Sequence, residues 1–111
     1  MCRISPVSDD WTTKGFHIHI DGIELAVRPD HRGGIVFRKC FGSTSDADAL
    51  RAAGIARSLL DDPAWRKRFR DAIGRGIEFL NGVEGVLHDK ARGRAGELKF
   101  LRVALDKMET S

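Results

Sequence analysis

The feature that most constrains the fold is a short stretch in which apolar and polar side chains alternate on both sides of an Asp-Gly pair. Residues 16–20 read FHIHI and residues 23–27 read IELAV, and a period of two is typical of a strand with one buried face. Asp21 and Gly22 tolerate the positive φ angles that a tight hairpin turn requires. The stretch therefore predicts a β-hairpin with an apolar face and a polar face.

The rest of the chain predicts one more strand and then helices. Residues 35–41 are rich in β-branched and aromatic side chains, which favours a third strand. Asp62 followed by Pro63 is a typical helix start, because the proline fits the first helical position. We predict an α+β fold in which a three-stranded antiparallel sheet at about 15–41 precedes two to three helices, at about 46–60, 63–81 and 95–109.

Length and composition limit the chain to one small domain. Its 111 residues allow a single core, which we place in residues 15–111. Residues 1–14 show no periodic pattern and are predicted to form an irregular lead-in. No apolar run is long enough to cross a membrane and no signal peptide is recognisable, so we expect a cytoplasmic protein without membrane contact. Cys2 and Cys40 are expected to be free thiols.

Clusters of cations matter more than the net charge, which is only +3. The candidate partner- or phosphate-binding cations form one group in the second predicted helix and another ahead of the third: Arg66, Lys67, Arg68, Arg70, Arg75, Arg92 and Arg94. Nucleic-acid binding would require them to converge on one continuous positive face. Lys67 and Asp71 lie four residues apart and partly neutralise each other. This spacing favours a patchwork surface that binds a protein.

A His-x-His pair on the first predicted strand is the candidate for metal binding. His17 and His19 point to the same side of a strand, and Glu24 lies across the hairpin. The spacing His17-x-His19, four residues, Glu24 resembles the first metal motif of the cupin family over eight residues. The resemblance implies a metal site, which His31 or Cys40 could complete. The alternative, which we predict, is that both histidines face solvent and that no metal or other cofactor is bound.

Other catalytic templates are weak. Cys40 could act as a nucleophile with one of the histidines as its base, and Arg38 and Lys39 would lower its pKa if they lay close to the thiol. The sequence contains neither a phosphate-binding glycine loop nor a Gly-x-Ser-x-Gly elbow. We therefore expect a protein that is not an enzyme.

Three strands followed by an alanine-rich helix also occur in one class of DNA reader. The pattern of Phe16–Val27, Phe37–Gly42 and Ala47–Ala56 resembles the ethylene-response-factor DNA-binding domain, whose outline is shared with arm-type domains of phage integrases. The resemblance implies that the outer face of the sheet enters the major groove. On this chain that face would present His17, His19, Glu24, Arg28 and Arg38.

The predicted function is that of a small binding protein, which occupies a surface of a larger protein or nucleoprotein partner. Phage-encoded inhibitors, anti-CRISPR proteins among them, are of this functional type and share no common motif. Direct nucleic-acid binding through the second helix and the sheet face is the first alternative. A small metal-dependent enzyme that uses His17, His19 and Glu24 is the second. A homodimer formed through the edge strand or the last helix fits equally well.

Overall fold

A computed structural model describes residues 2–5, 10–40 and 44–110 of the chain. Its elements are, in chain order, β1 (Cys2–Ser5), α1 (Asp10–Thr13), β2 (His17–Ile20), β3 (Ile23–Pro29), β4 (Ile35–Lys39), α2 (Asp46–Leu59), α3 (Pro63–Asn81), a 3-10 turn (Gly85–Leu87) and α4 (His88–Thr110). The strands form an antiparallel sheet and the longer helices follow it. The predicted α+β class is confirmed.

The predicted hairpin is the centre of a four-stranded sheet with the order β1-β2-β3-β4. Asp21 and Gly22 form its turn with φ angles of 50° and 81°, which is why an Asp-Gly pair stands there. The apolar side chains of the hairpin lie on one buried face, and among them Ile18 and Leu25 are fully buried opposite each other. The alternation of the sequence thus correctly predicts both strands and the face that the core covers.

The start of the chain differs from the irregular lead-in predicted for residues 1–14. Cys2–Ser5 form a strand that pairs with β2, from Cys2 opposite Ile20 to Ser5 opposite His17, and Asp10–Thr13 form a one-turn helix. A strand of four residues is too short to show a period, and its pairing depends on residues that come later in the chain. Because β1 pairs with it, β2 is an interior strand and not a sheet edge.

Two other predictions fall partly outside the described residues. The third predicted strand, 35–41, is observed as Ile35–Lys39, and the end of it, Phe41, is among the residues that the structure does not describe. The same holds for Gly42, the last residue of the DNA-reader pattern. Within β4, Ile35 and Phe37 are buried and Val36 is half-buried, which settles how this strand faces.

The core lies between the sheet and the helices. α2 packs closely on the sheet because the side chains that it buries are small: Ala49, Ala52 and Ala56. Phe37 of β4 meets Phe69 of α3 with ring centroids 6.5 Å apart. Arg70 contacts Asp106, whereas Gly76 lies against Leu98, so α3 and α4 run antiparallel.

The last helix is longer than predicted, because it begins at His88 and not near residue 95. The glycines at 93 and 96 weaken the local helical preference, but Ala91, Ala95 and Leu98 are buried against the rest of the molecule and hold the early turns in place. α3, by contrast, has the predicted bounds, with Asp62 accepting a hydrogen bond from the Ala64 N–H at 2.9 Å. In the part of the chain that the structure describes, no helix has both the length and the apolar character needed to cross a membrane.

Candidate functional site

The sheet face opposite the core carries the polar side chains predicted from the alternation. The register places His19 opposite Glu24, His17 opposite Ala26, and Ala26 opposite Arg38. His17 is only 3% exposed and His19 23% exposed, so the prediction that both histidines face solvent is wrong. The physical reason is that residues of other elements lie beside this part of the sheet face: Thr13, Lys14 and Arg94 line a cleft together with His17.

Glu24 is the centre of the polar groups on this face. Its Oε1 lies 3.3 Å from Nε2 of His19 and 3.9 Å from Nε2 of His17. Burial raises the pKa of the Cys40 thiol, and the negative charge and hydrogen bond of Glu24 raise it further, whereas Arg28 and Lys14 lower it. Arg38 and Lys39 are therefore not the cations that act on this thiol. At neutral pH the thiol is protonated, which makes it a poor nucleophile.

A half-open cleft of about 370 Å³ lies beside these groups. The lining residues are Thr13, Lys14, His17, Glu24, Ala26, Arg28, Lys39, Cys40 and Arg94. The side chain of Lys39 points to the other face of the sheet, because Lys39 lies opposite the buried Leu25 and pairs with Asp46. Lys14, Arg28 and Arg94 therefore supply the cations of the cleft, which form a positive rim above a floor that contains Glu24.

The cations of the rim come from three separate segments. Lys14 lies between α1 and β2, and Arg28 lies on β3. Arg94 belongs to α4 and donates to the backbone carbonyl of Thr13 at 3.2 Å. The cleft therefore exists only where the sheet, the short helix and α4 meet.

Glu97 of α4 holds two of these cations. Its Oε2 accepts a hydrogen bond from Arg28 Nη1 at 2.6 Å and another from Arg94 Nη1 at 3.4 Å. Lys39 pairs with the exposed Asp46 at 3.3 Å, and Lys14 forms no ion pair with any residue in the described ranges. The rim keeps positive charge that its own carboxylates do not neutralise.

Gly15 allows the two guanidinium groups to meet. Its φ is 73°, and a Cβ at this position would lie 3.0 Å from Arg28 Nη1 and 3.1 Å from Arg94 Nη1. A side chain would strain the backbone and crowd both cations. In the sequence, Gly15 indicates only the start of the sheet, and no pattern around it predicts this role.

The cations of α3 are spread around the helix and mostly engaged by their own chain. Arg66 donates to the carbonyl of Leu60 at 2.7 Å, and Lys67 pairs with Asp71 at 3.3 Å. The guanidinium of Arg68 lies 4.8 Å above the ring of Trp65.

Further along the helices, Arg70 pairs with Asp106 and Glu109 near the end of α4. Arg75 and Arg92 are exposed. Arg94 alone of the seven predicted cations lies in the cleft. Its neighbour Lys14 was not among the predicted site residues, because only the packing of α4 beside the short helix brings the two together.

The residues proposed for a metal site do not assemble as the cupin spacing implies. His31 is 86% exposed, pairs with Asp30 at 3.0 Å and lies in the loop after β3, at the far end of that strand from Glu24. No three His, Cys, Asp or Glu side chains among the described residues are arranged to hold a metal ion. What the arrangement can do chemically is attract an acidic group to the rim.

Comparisons with protein-family models, with curated proteins and with solved structures find no significant match to this chain.

Proposed function

We propose that this protein is a non-enzymatic binding module that holds an acidic side chain of a larger protein partner at the rim of the cleft. The convergence of Lys14, Arg28 and Arg94 on one concave surface carries this proposal. Arginine pairs with carboxylates through two parallel hydrogen bonds, and partial burial strengthens such contacts. Glu24 repels an acidic group from the floor, so the partner's carboxylate is held between the rim cations.

The distribution of charge favours a protein over a nucleic acid. A nucleic-acid backbone presents phosphates along its whole length and calls for a track of cations. Arg66, Lys67 and Arg70 do not supply such a track, since each is engaged by a group of its own chain. In the cleft, Arg28 and Arg94 share the single carboxylate of Glu97, and Lys14 has no ion pair within the described ranges. The cleft therefore keeps positive charge, and its volume of about 370 Å³ suits one acidic group.

The composition of the lining favours a side chain over a free metabolite. Small-molecule sites are lined predominantly by apolar and aromatic side chains, whereas this cleft contains no aromatic ring apart from the imidazole of His17 among the described residues that line it. A partner that brings its own apolar surface can bind such a cleft by one anchoring carboxylate. Stoichiometric occupation of a partner's surface, as by an inhibitor or adaptor, is the mode of action that follows.

The proposal is tested by fluorescence anisotropy with three labelled probes: a glutamate-rich peptide, duplex DNA and single-stranded RNA, at about 50 and 200 mM salt. The cleft variant is Lys14→Ala. The matched control is Lys90→Ala, which removes the same charge from an exposed position outside the cleft. We expect the peptide to bind, with an affinity about tenfold lower for the cleft variant and unchanged for the control.

Two results would overturn the proposal. The first is no peptide binding at the lower salt concentration, or equal losses in both variants, which would mean that only net charge matters. The second is tighter binding of DNA or RNA than of the peptide. That result would support the alternative of direct nucleic-acid binding and, if Arg38→Ala weakened it, the groove-reading sheet that the DNA-reader resemblance implies.

A further inference from the structure

The strand β4 lies at the end of the sheet, so β3 pairs with one of its edges and, among the described residues, no strand pairs with the other. The direction of the Val27 N–H shows which backbone groups of β4 this pairing uses. The Val27 N–H donates to the Phe16 carbonyl at 2.9 Å, on the side of β3 that faces away from β4. Val27 lies opposite Phe37, and antiparallel strands alternate between hydrogen-bonded and non-hydrogen-bonded pairs. Val27 and Phe37 therefore form a non-hydrogen-bonded pair.

The free edge of β4 presents the backbone groups of alternate residues. The N–H and C=O groups of Ile35, Phe37 and Lys39 point away from β3, whereas those of Val36 and Arg38 are used in pairing with β3. In the part of the chain that the structure describes, the three outward N–H groups have no hydrogen-bond acceptor. Backbone groups in such a row can pair with a further strand.

The side chains along this edge carry two cations and no carboxylate. Arg38 is exposed on the sheet face opposite the core, beside the half-buried Val36, and forms no ion pair with any described residue. Lys39 lies on the other face, where it pairs with Asp46. Two β4 strands side by side would bring four cations together with no carboxylate on either strand, so the edge disfavours a second copy of the chain. Its charge is complementary to an acidic strand.

We infer that an acidic segment of a protein partner binds as a fifth strand, antiparallel to β4, with an aspartate or glutamate opposite Arg38. The acid lies in a non-hydrogen-bonded pair, in which facing side chains are closest. The partner residues on either side of it exchange backbone hydrogen bonds with Phe37 and Lys39. In this mode of binding the main chain supplies affinity and alternate side chains supply specificity. The inference does not rest on the rim cations of the cleft.

Fluorescence anisotropy with a short labelled peptide tests the inference. The peptide alternates threonine and valine, has glutamate in place of the central valine and carries blocked ends. One N-methylated form lacks the N–H groups of the two threonines beside the glutamate, which face β4. The matched form lacks the N–H groups of the glutamate and of one valine, which face away from β4. We expect the first form to bind at least about tenfold more weakly than the parent peptide and the second to bind as the parent does.

A charge exchange tests the contact with Arg38. Arg38→Glu is expected to weaken binding of the glutamate peptide about fivefold, and a peptide with lysine in its place should prefer this variant to the original protein. The matched control is Arg32→Glu, which makes the same change of charge at an exposed position in the loop before β4. Lys14→Ala, the cleft variant, should leave binding of this peptide unchanged. Failure of the cleft proposal and failure of this inference are therefore distinguishable.

Amide hydrogen exchange observes the same edge directly. In the free protein the N–H groups of Ile35, Phe37 and Lys39 are expected to exchange faster than those of Val36 and Arg38. The peptide should slow exchange of the first three. Equal protection of all five in the free protein would show that the edge is already covered, and would overturn the inference.

Three binding results would also overturn it. No binding at up to about 1 mM peptide would leave Arg38 and Lys39 as charges that merely protect the edge from pairing. Equal losses in Arg38→Glu and Arg32→Glu would mean that only net charge matters, and a loss in Lys14→Ala would assign the peptide to the cleft. The opposite dependence on N-methylation would overturn the antiparallel register.

Discussion

Substitution of alanine for Gly76 tests how α1 is held against the helices. Gly76 is buried in α3, and a Cβ there would lie 2.7 Å from Cε3 and Cζ3 of Trp11 and 2.8 Å from Cδ1 of Leu98. Real Cβ atoms do not approach other atoms so closely, so the ring of Trp11 or the helices must move. Overpacking of this kind costs about 1–3 kcal/mol, and the better helix propensity of alanine offsets about 1 kcal/mol of it.

The net expectation for Gly76→Ala is a loss of up to about 2 kcal/mol in the free energy of unfolding, or up to roughly 8 °C in Tm for a domain of this size. Gly74→Ala is the matched control, because Gly74 lies two residues away in α3 and a Cβ there would meet nothing within 4 Å. The control should gain about 0.5–1 kcal/mol. The same substitution at two neighbouring positions is therefore expected to have opposite signs.

Urea unfolding followed by circular dichroism measures both variants without relying on tryptophan fluorescence. Trp11→Leu removes the ring carbons that the new methyl group meets, so the penalty of Gly76→Ala should shrink in that background. If Gly76→Ala were as stable as Gly74→Ala, the packing of Trp11 between α3 and α4 would be refuted.

Three further predictions concern individual contacts. Asp62→Ala removes the side-chain cap of α3 and should lower the unfolding free energy by about 1 kcal/mol in urea titrations; an unchanged midpoint would contradict this. Glu97→Gln weakens the contacts with Arg28 and Arg94. Because Glu97 is partly exposed, the free energy of unfolding should fall by only about 1 kcal/mol. A much larger fall would show that solvent screens these ion pairs less than expected. In a background without the N-terminal cysteine, the thiol of Cys40 should react with iodoacetamide more slowly than free cysteine near pH 8. Burial and Glu24 both raise its pKa, so Glu24→Gln should speed the reaction, and a rate that stayed the same would contradict the assigned cause. Because the folded state favours the neutral thiol, stability should also fall as the pH rises through this raised pKa.

Most secondary structure could be predicted from local signals. The Asp21–Gly22 turn and the α3 start at Asp62 and Pro63 depend on residues that lie next to each other in the chain, and both were predicted correctly. β1 and the early turns of α4 were not, because each is held by distant partners. Ile20 pairs with Cys2, and the buried Ala91 and Ala95 outweigh two glycines that locally disfavour a helix.

The candidate site was only partly predictable. Alternation placed His17, His19 and Glu24 on one sheet face, since this depends only on the period of a strand. Burial of His17 could not be inferred, because Thr13, Lys14 and Arg94, which line the same cleft, come from other segments of the chain. Helical spacing brought out the cations of α3 and the Lys67–Asp71 pair, but not the contacts that Arg66 and Arg70 make with more distant residues.

The sequence by itself determined the elements whose information is local: the hairpin, its apolar face, the alanine-rich packing face of α2 and the bounds of α3. The tertiary structure alone decided which charges converge. Lys14, Arg28 and Arg94 are far apart in the chain and meet because α4 packs beside the sheet and the short helix. Such convergence depends on long-range packing, so the positions of these cations along the chain do not predict it.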